Sequence, residues 1–241
     1  MSNSKKYEPP KPGKDDDMHI LKKAGIASIP GIGGSAVILF EKMTKPPLEL
    51  RRDNWRRMIG EGLEVLEKKF NIFIEELQSN DKFIDAVLYA SQIAIRTSQE
   101  EKRIALRNAV LNSALPGAPE QSILQMFLNY IDVFTEWHLR TLKLFQNPEA
   151  WEYYNIEYIQ DIKLRMSPKS RLQNIPLYKV LQGAYPELRD ELDFCAQVWY
   201  ELYLRGLVNL SNINETIPET ILLKKRTTDF GDSFLRFIQE P

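Results

Sequence analysis

Apolar residues recur at helical spacing along most of the chain. After Pro46 and Pro47, the residues Leu48, Trp55, Ile59, Leu63, Leu66, Phe70, Ile74 and Leu77 fall on one stripe with charge around it. That pattern predicts one long amphipathic helix, opened by proline in its first turn. Asn80 reads as the N-cap of the next helix, whose apolar side is Phe83, Ile84, Val87, Leu88, Ser91 and Ile95. Glu100 to Leu115 gives another, on Ile104, Ala105, Val110 and Leu111, and LPGAP (115–119) breaks the pattern. The same period then runs unbroken from about Pro119 to Gln146, and Asn147-Pro148 restarts the chain. Hardly any stretch alternates with period two, so the first 165 residues read as all-helical.

The texture changes at 166–176, which reads as a linker. Helical patterns come after it at 177–184 and 187–205. A helix end at Gly206 and a short strand over 205–210 come next. After a loop, a second short strand is predicted over TILLKK, and a closing helix capped by Thr228 or Asp229. That order is the order of a winged-helix-like unit. The fold class expected is therefore mainly α: a multi-helix domain over 18–165, then a small winged-helix-like α+β domain over 177–241. Residues 1–17, polar and proline-rich, read as a disordered tail without the apolar core of a secretory signal.

Composition narrows the function classes. The 241 residues are 43% hydrophobic and 27% charged, with a formal net charge of −1. Such a balance creates no global field toward nucleic acid or anionic membrane. The single cysteine, Cys195, excludes an internal disulfide and a multi-cysteine zinc site, and its apolar neighbours mark it as a core thiol. A reducing cytoplasm is the expected location, with the inner membrane periphery as the second.

Residues 24–40, AGIASIPGIGGSAVILF, carry no charge. Within them GIGGSA fits G-x-G-x-x-G/A, the turn that cradles a dinucleotide pyrophosphate. The context does not fit. Pro30 spoils a preceding strand, and the next element along the chain is a helix rather than a strand. Asp53, at the distance of a ribose-binding acid, falls inside that helix. Helical spacing instead aligns Ala27, Gly31 and Ser35, with Gly33 and Gly34 beside them, as a small-residue strip for close helix packing. A membrane-seeking segment is the second reading.

Other candidates weigh less. Arg51, Arg52, Arg56 and Arg57 could grip phosphates of a lipid or nucleic acid, but local pairing with Glu49 and Asp53 explains them better. Lys224, Lys225 and Arg226 stand where a wing would touch DNA. The preceding helix opposes that role, since Glu187, Asp190, Glu191, Asp193 and Glu201 outnumber Arg189 and Arg205. Trp151, Tyr154 and Tyr158 share a face that suits a partner or a domain contact. His19 and His138 show no evident second ligand, and no nucleophilic triad or metal motif is visible. No enzyme activity, cofactor or metal is expected.

The stretches AIRTSQEEKRIALRNAVLNSALPG, LQMFLNYIDVFTEWHLRTLKLF and KRTTDFGDSFLRFI resemble a set of bacterial helical proteins of unknown function. The shared positions include Glu101, Lys102, Leu106, Asn108, Thr135, His138, Leu139, Thr228, Gly231 and Phe234. Phe134 stands where that pattern has leucine. The resemblance covers about residues 80–146 and 177–238 and implies a cytoplasmic bacterial protein with no transferable catalytic residues. An apolar Gly/Pro stretch ahead of the helices would suit a conflict or defence setting. The expected function is a non-enzymatic protein acting through a protein partner or self-association. A membrane-acting effector using 24–40 and a DNA-binding regulator are the alternatives.

Overall fold

The computed structural model describes residues 34–152 and 174–241. Among them the chain is mainly helical, with one small two-stranded sheet. It divides into two compact units, one up to Leu128 together with Glu240–Pro241, the other Asn129–Gln239. The division falls well ahead of the 166–176 segment read as a linker.

The first unit begins with α1 (Gly34–Phe70). This helix starts earlier than Pro46–Pro47, and both prolines lie inside it. Each removes an N–H from the ladder, but the surface here is exposed, so water can satisfy the carbonyls they leave. The Thr44 hydroxyl also donates to Phe40 O at 2.8 Å. The predicted stripe ran on to Leu77, yet α1 stops at Phe70. Asn71 takes a left-handed φ of 54°, which asparagine tolerates. A short α2 (Ile74–Leu77) comes next.

Asn80 caps α3 (Asp81–Arg96), its side chain accepting from Phe83 N at 3.1 Å. The face that α3 buries differs from the expected one. It is Phe83, Ala86, Ala90, Ile93 and Ala94, while Leu88 is exposed. On α4 (Glu100–Ser113), Ala105 and Ala109 are likewise buried and Ile104 is exposed. Val110 and Leu111 are buried as expected, and small side chains let backbones approach closely, so alanines together with larger residues mark where α1, α3 and α4 pack. Trp55 fills the seam from α1, its indole N–H donating to Ser91 Oγ at 2.8 Å.

The single helix expected over 119–146 is two: α5 (Gln121–Val133) and α6 (Glu136–Gln146). Thr135 is the N-cap of α6, and its N–H donates to His138 Nδ1 at 3.1 Å. A side chain at the third helical position that satisfies the N-cap amide stabilises a new start, and the apolar period alone cannot reveal it.

After α6 comes a short α7 (Pro148–Glu152). Residues 174–176, read as linker, form β1 (Asn174–Pro176), antiparallel to β2 (Thr216–Pro218) with Ile175 opposite Ile217. Between the two strands lie α8 (Tyr178–Ala184) and α9 (Leu192–Leu204). The expected strand at 205–210 contributes one isolated bridge, Val208 to Thr227, and the other, expected over 220–225, opens in a 3₁₀ turn over Glu219–Ile221. The helix end at Gly206 is as read. Gly206 has φ 69°, its N–H reaches Tyr203 O at 2.8 Å, and Leu207 N–H reaches Leu202 O at 3.0 Å. Those two bonds make a Schellman cap. Thr228 caps α10 (Asp229–Ile238) by accepting from Gly231 N at 2.9 Å. Helix α6 packs with α8, α9 and α10. Phe134, Phe145, Trp199 and Phe234 centre this core, with Trp199 Nε1 donating to Leu210 O at 2.9 Å.

Candidate functional site

The arrangement with most chemistry on display is helix α9 and the polar groups alongside it. Its sequence, LDFCAQVWYELYL, is mostly apolar, with Asp193, Gln197 and Glu201 forming one polar row. Cys195, Val198, Trp199 and Leu202 face the core. Burial pushes the Cys195 thiol above its ordinary range, as expected for an inert core residue. The opposite side keeps large apolar groups in water: Leu192, Phe194, Tyr200, Tyr203 and Leu204 are 36% to 61% exposed. Beside them is an open groove lined by Asp193, Ala196, Gln197 and Tyr200 from α9 and by Ser211 and Asn212 from the loop after it.

Alongside this face lies a polar knot. Gln197 Nε2 donates to Glu201 Oε1 at 3.0 Å, and Glu201 Oε2 stands 3.2 Å from His138 Nε2. Arg205 lies 3.8 Å from the same carboxylate oxygen and covers the Phe134 ring at 5.1 Å. The Gln197 hydrogen bond, joined by His138 and Arg205, holds the Glu201 carboxyl below its usual range against the opposing effect of burial. His138 is 4% exposed and stacked on Phe134 at 4.7 Å with an interplanar angle of 7°.

Thr135 Oγ1, the His138 ring and Glu201 stand in series, with the hydroxyl 2.9 Å from Nδ1. The order resembles that of an acyl-transfer triad, but the backbone amide of Thr135 already donates to the Nδ1 lone pair. That leaves Nε2 facing Glu201 and Nδ1 engaged where a general base would need it free. The knot is a joint between α6 and α9. Among the described residues no group of three metal-ligating side chains is assembled.

The other candidates scatter. Ala27, Gly31 and Gly33 lie outside the described residues, while Gly34 and Ser35 form the first turn of α1. Among the described residues no helix is long and apolar enough to cross a membrane. The four arginines of α1 do not converge on one ligand. Arg51 donates to the Arg96 carbonyl at 3.2 Å, Arg56 pairs with Asp53 at 3.6 Å, and Arg57 donates to Asn54 Oδ1 at 2.8 Å; Arg52 is exposed. The basic wing also dissolves. Lys224 is exposed, but Lys225 pairs with Asp232, and Arg226 is only 9% exposed. The Arg226 Nη2 donates to Ile221 O at 2.6 Å, and its backbone bonds Phe145 O and Asn209 N. Trp151 sits in α7, and Tyr154 and Tyr158 lie outside the described residues.

Sequence reasoning weighed α9 by its charge and missed its exposed apolar side. The signal was there: a surface helix normally shows one apolar stripe, and Leu192, Phe194, Tyr200, Tyr203 and Leu204 fall outside the stripe of Cys195, Val198, Trp199 and Leu202. No family model, curated protein or solved structure matches this chain.

Proposed function

We propose that this chain is a non-enzymatic helical binding protein that acts by protein–protein contact through the outward face of α9. One observation carries the reading. Five large apolar side chains of a 13-residue helix stand in solvent on one element, next to a groove. Exposed apolar residues are common singly, whereas several large ones, aromatic ones among them, on a single helix mark a contact surface. The C-terminal unit is proposed as winged-helix-like, with α8, α9 and α10 as its helices and α9 in the position of a recognition helix. The carboxylates at the start of α9, and the internal engagement of Lys225 and Arg226, favour a protein partner over DNA. The bonding of His138 within the fold speaks against a catalytic role. A bacterial cytoplasmic setting, and one of conflict or defence, rests on the sequence resemblance alone.

The test is site-specific photo-crosslinking in the producing cell, with Tyr200 replaced by a photo-crosslinking phenylalanine and exposed Lys143 replaced as a control. Discrete protein adducts from position 200 and none from 143 are expected. Equal, diffuse labelling from both positions would remove the proposal.

A further inference from the structure

We infer that one partner of the α9 face is a second copy of this chain, which docks there the N-terminal half of its own α1. The inference rests on the reading of α9 as a protein-binding face and adds its occupant. The N-terminal half of α1 is a second unpartnered helix face. Phe40 and Met43 are each 67% exposed and Leu50 is 63% exposed. With Pro47 they recur at i, i+3, i+7 and i+10, which is one stripe of a helix.

The two faces have opposite charge. Over residues 40–52, Lys42, Lys45, Arg51 and Arg52 stand against Glu41 and Glu49. Over residues 187–193, Glu187, Asp190, Glu191 and Asp193 stand against Arg189, while Glu201 is engaged by His138 and Arg205 in the knot. These four carboxylates fall at the start of α9 beside Leu192 and Phe194, and Tyr200 and Tyr203 continue the apolar surface. An apolar helix flanked by cations meets an apolar helix flanked by carboxylates, so the contact gains both burial and steering. Tyrosine rings can in addition receive lysine and arginine side chains over their faces.

The contact joins two different faces, so it is head-to-tail. Two copies that exchange both contacts close as a symmetric dimer; otherwise each added copy leaves one face of each kind available, and association extends to rings or open chains.

Sedimentation velocity of the full chain over a concentration series tests this. Species beyond the monomer should grow with concentration and recede at high salt. The pair Asp190→Lys with Asp193→Lys reverses the α9 face, and Lys42→Glu with Arg52→Glu reverses the α1 face. All four positions are exposed, so folding should be retained, which circular dichroism checks. Each double variant alone should associate at least about tenfold more weakly. An equimolar mixture of the two should regain association, because each then offers the charge the other lacks. A mixture that stays monomeric overturns the inference. A monomeric wild type whose position 200 crosslinks to a different protein also overturns it while leaving the binding reading intact. Flotation of a monomeric wild type on phosphatidylglycerol vesicles, lost in Lys42→Glu with Arg52→Glu, would assign the α1 face to a bilayer and overturn it as well.

Discussion

Gly231 supports a sharp stability prediction. A Cβ added there would lie 2.2 Å from Leu207 O, where ordinary contact begins at 3.4 Å. Gly231→Ala therefore requires the start of α10 to move from the Leu207 backbone by about 1 Å. The obstacle is main chain and cannot swing away like a side chain. That same oxygen accepts the Thr228 N–H at 3.0 Å, so the movement strains the cap of α10 as well. Overpacking of this kind costs about 1–3 kcal/mol. A weakened backbone hydrogen bond adds about 1 kcal/mol. Alanine returns about 1 kcal/mol through helix propensity. The net expectation is a loss of about 2 kcal/mol. Gly62→Ala is the matched control: it too lies within a helix, but its Cβ would meet only the Leu111 side chain, Cδ2 at 2.8 Å. There a methyl shift is offset by propensity, and the change should be near neutral. Urea dependence of hydrogen exchange, read over peptides spanning 206–238 for one variant and 55–70 for the other, isolates the local effect. If Gly231→Ala loses no more stability than Gly62→Ala, the close approach of α10 to Leu207 is not present in solution.

Three further outcomes are expected from the packing. Arg226→Gln should destabilise the second unit by about 1–3 kcal/mol, because its guanidinium serves the Ile221 carbonyl; thermal melts at low and high salt should show a loss that salt barely changes. Trp55→Phe should cost about 1–2 kcal/mol in the first unit through lost volume and the lost bond to Ser91 Oγ, and unchanged exchange along α3 would refute it. The Glu201 carboxyl titrates lower when folded, so its stabilisation is full above the unfolded carboxyl value and disappears as pH falls through the folded one. Glu201→Gln should therefore be less stable than wild type at neutral pH and converge with it in acid, whereas a gap constant with pH would contradict the Gln197–Glu201–His138 arrangement.

The features legible in the sequence were those that near neighbours decide. Asn80 and Thr228 as caps and Gly206 as a helix end are local devices, made by residues three to five apart, and they stand as read. The break at Thr135 is also local, but a histidine at the third position of the helix is an unusual reciprocal cap, and the apolar period ran straight through it. The pairing of Asn174–Pro176 with Thr216–Pro218 joins two three-residue strands across two intervening helices, and each strand is far too short to show a period of two. Helix faces were assigned by counting large apolar side chains, and that rule fails where alanines form the contact, as at Ala86, Ala90 and Ala109. Of the cations at 224–226, Lys224 and Lys225 are on the surface as read, whereas Arg226 turns inward, because charge is visible in sequence and burial is not. The exposed side of α9 escaped for the converse reason, since apolar residues were counted as core.

The two prolines inside α1 bear on how that helix holds its order. Without N–H groups at 46 and 47, the carbonyls of residues 42 and 43 have no helical donor, and the cooperative ladder is cut there. The stretch from Gly34 to Lys45 must then nucleate largely on its own, and isolated helices shorter than about 12–15 residues are marginal in water. Trp55 and Leu66 anchor the far half to α3 and α4, which stays ordered regardless. The near half thus works as an insulated arm: its helicity is set by whatever occupies its apolar stripe, and an event there, whether capture or release, passes little strain into the packed unit that carries it.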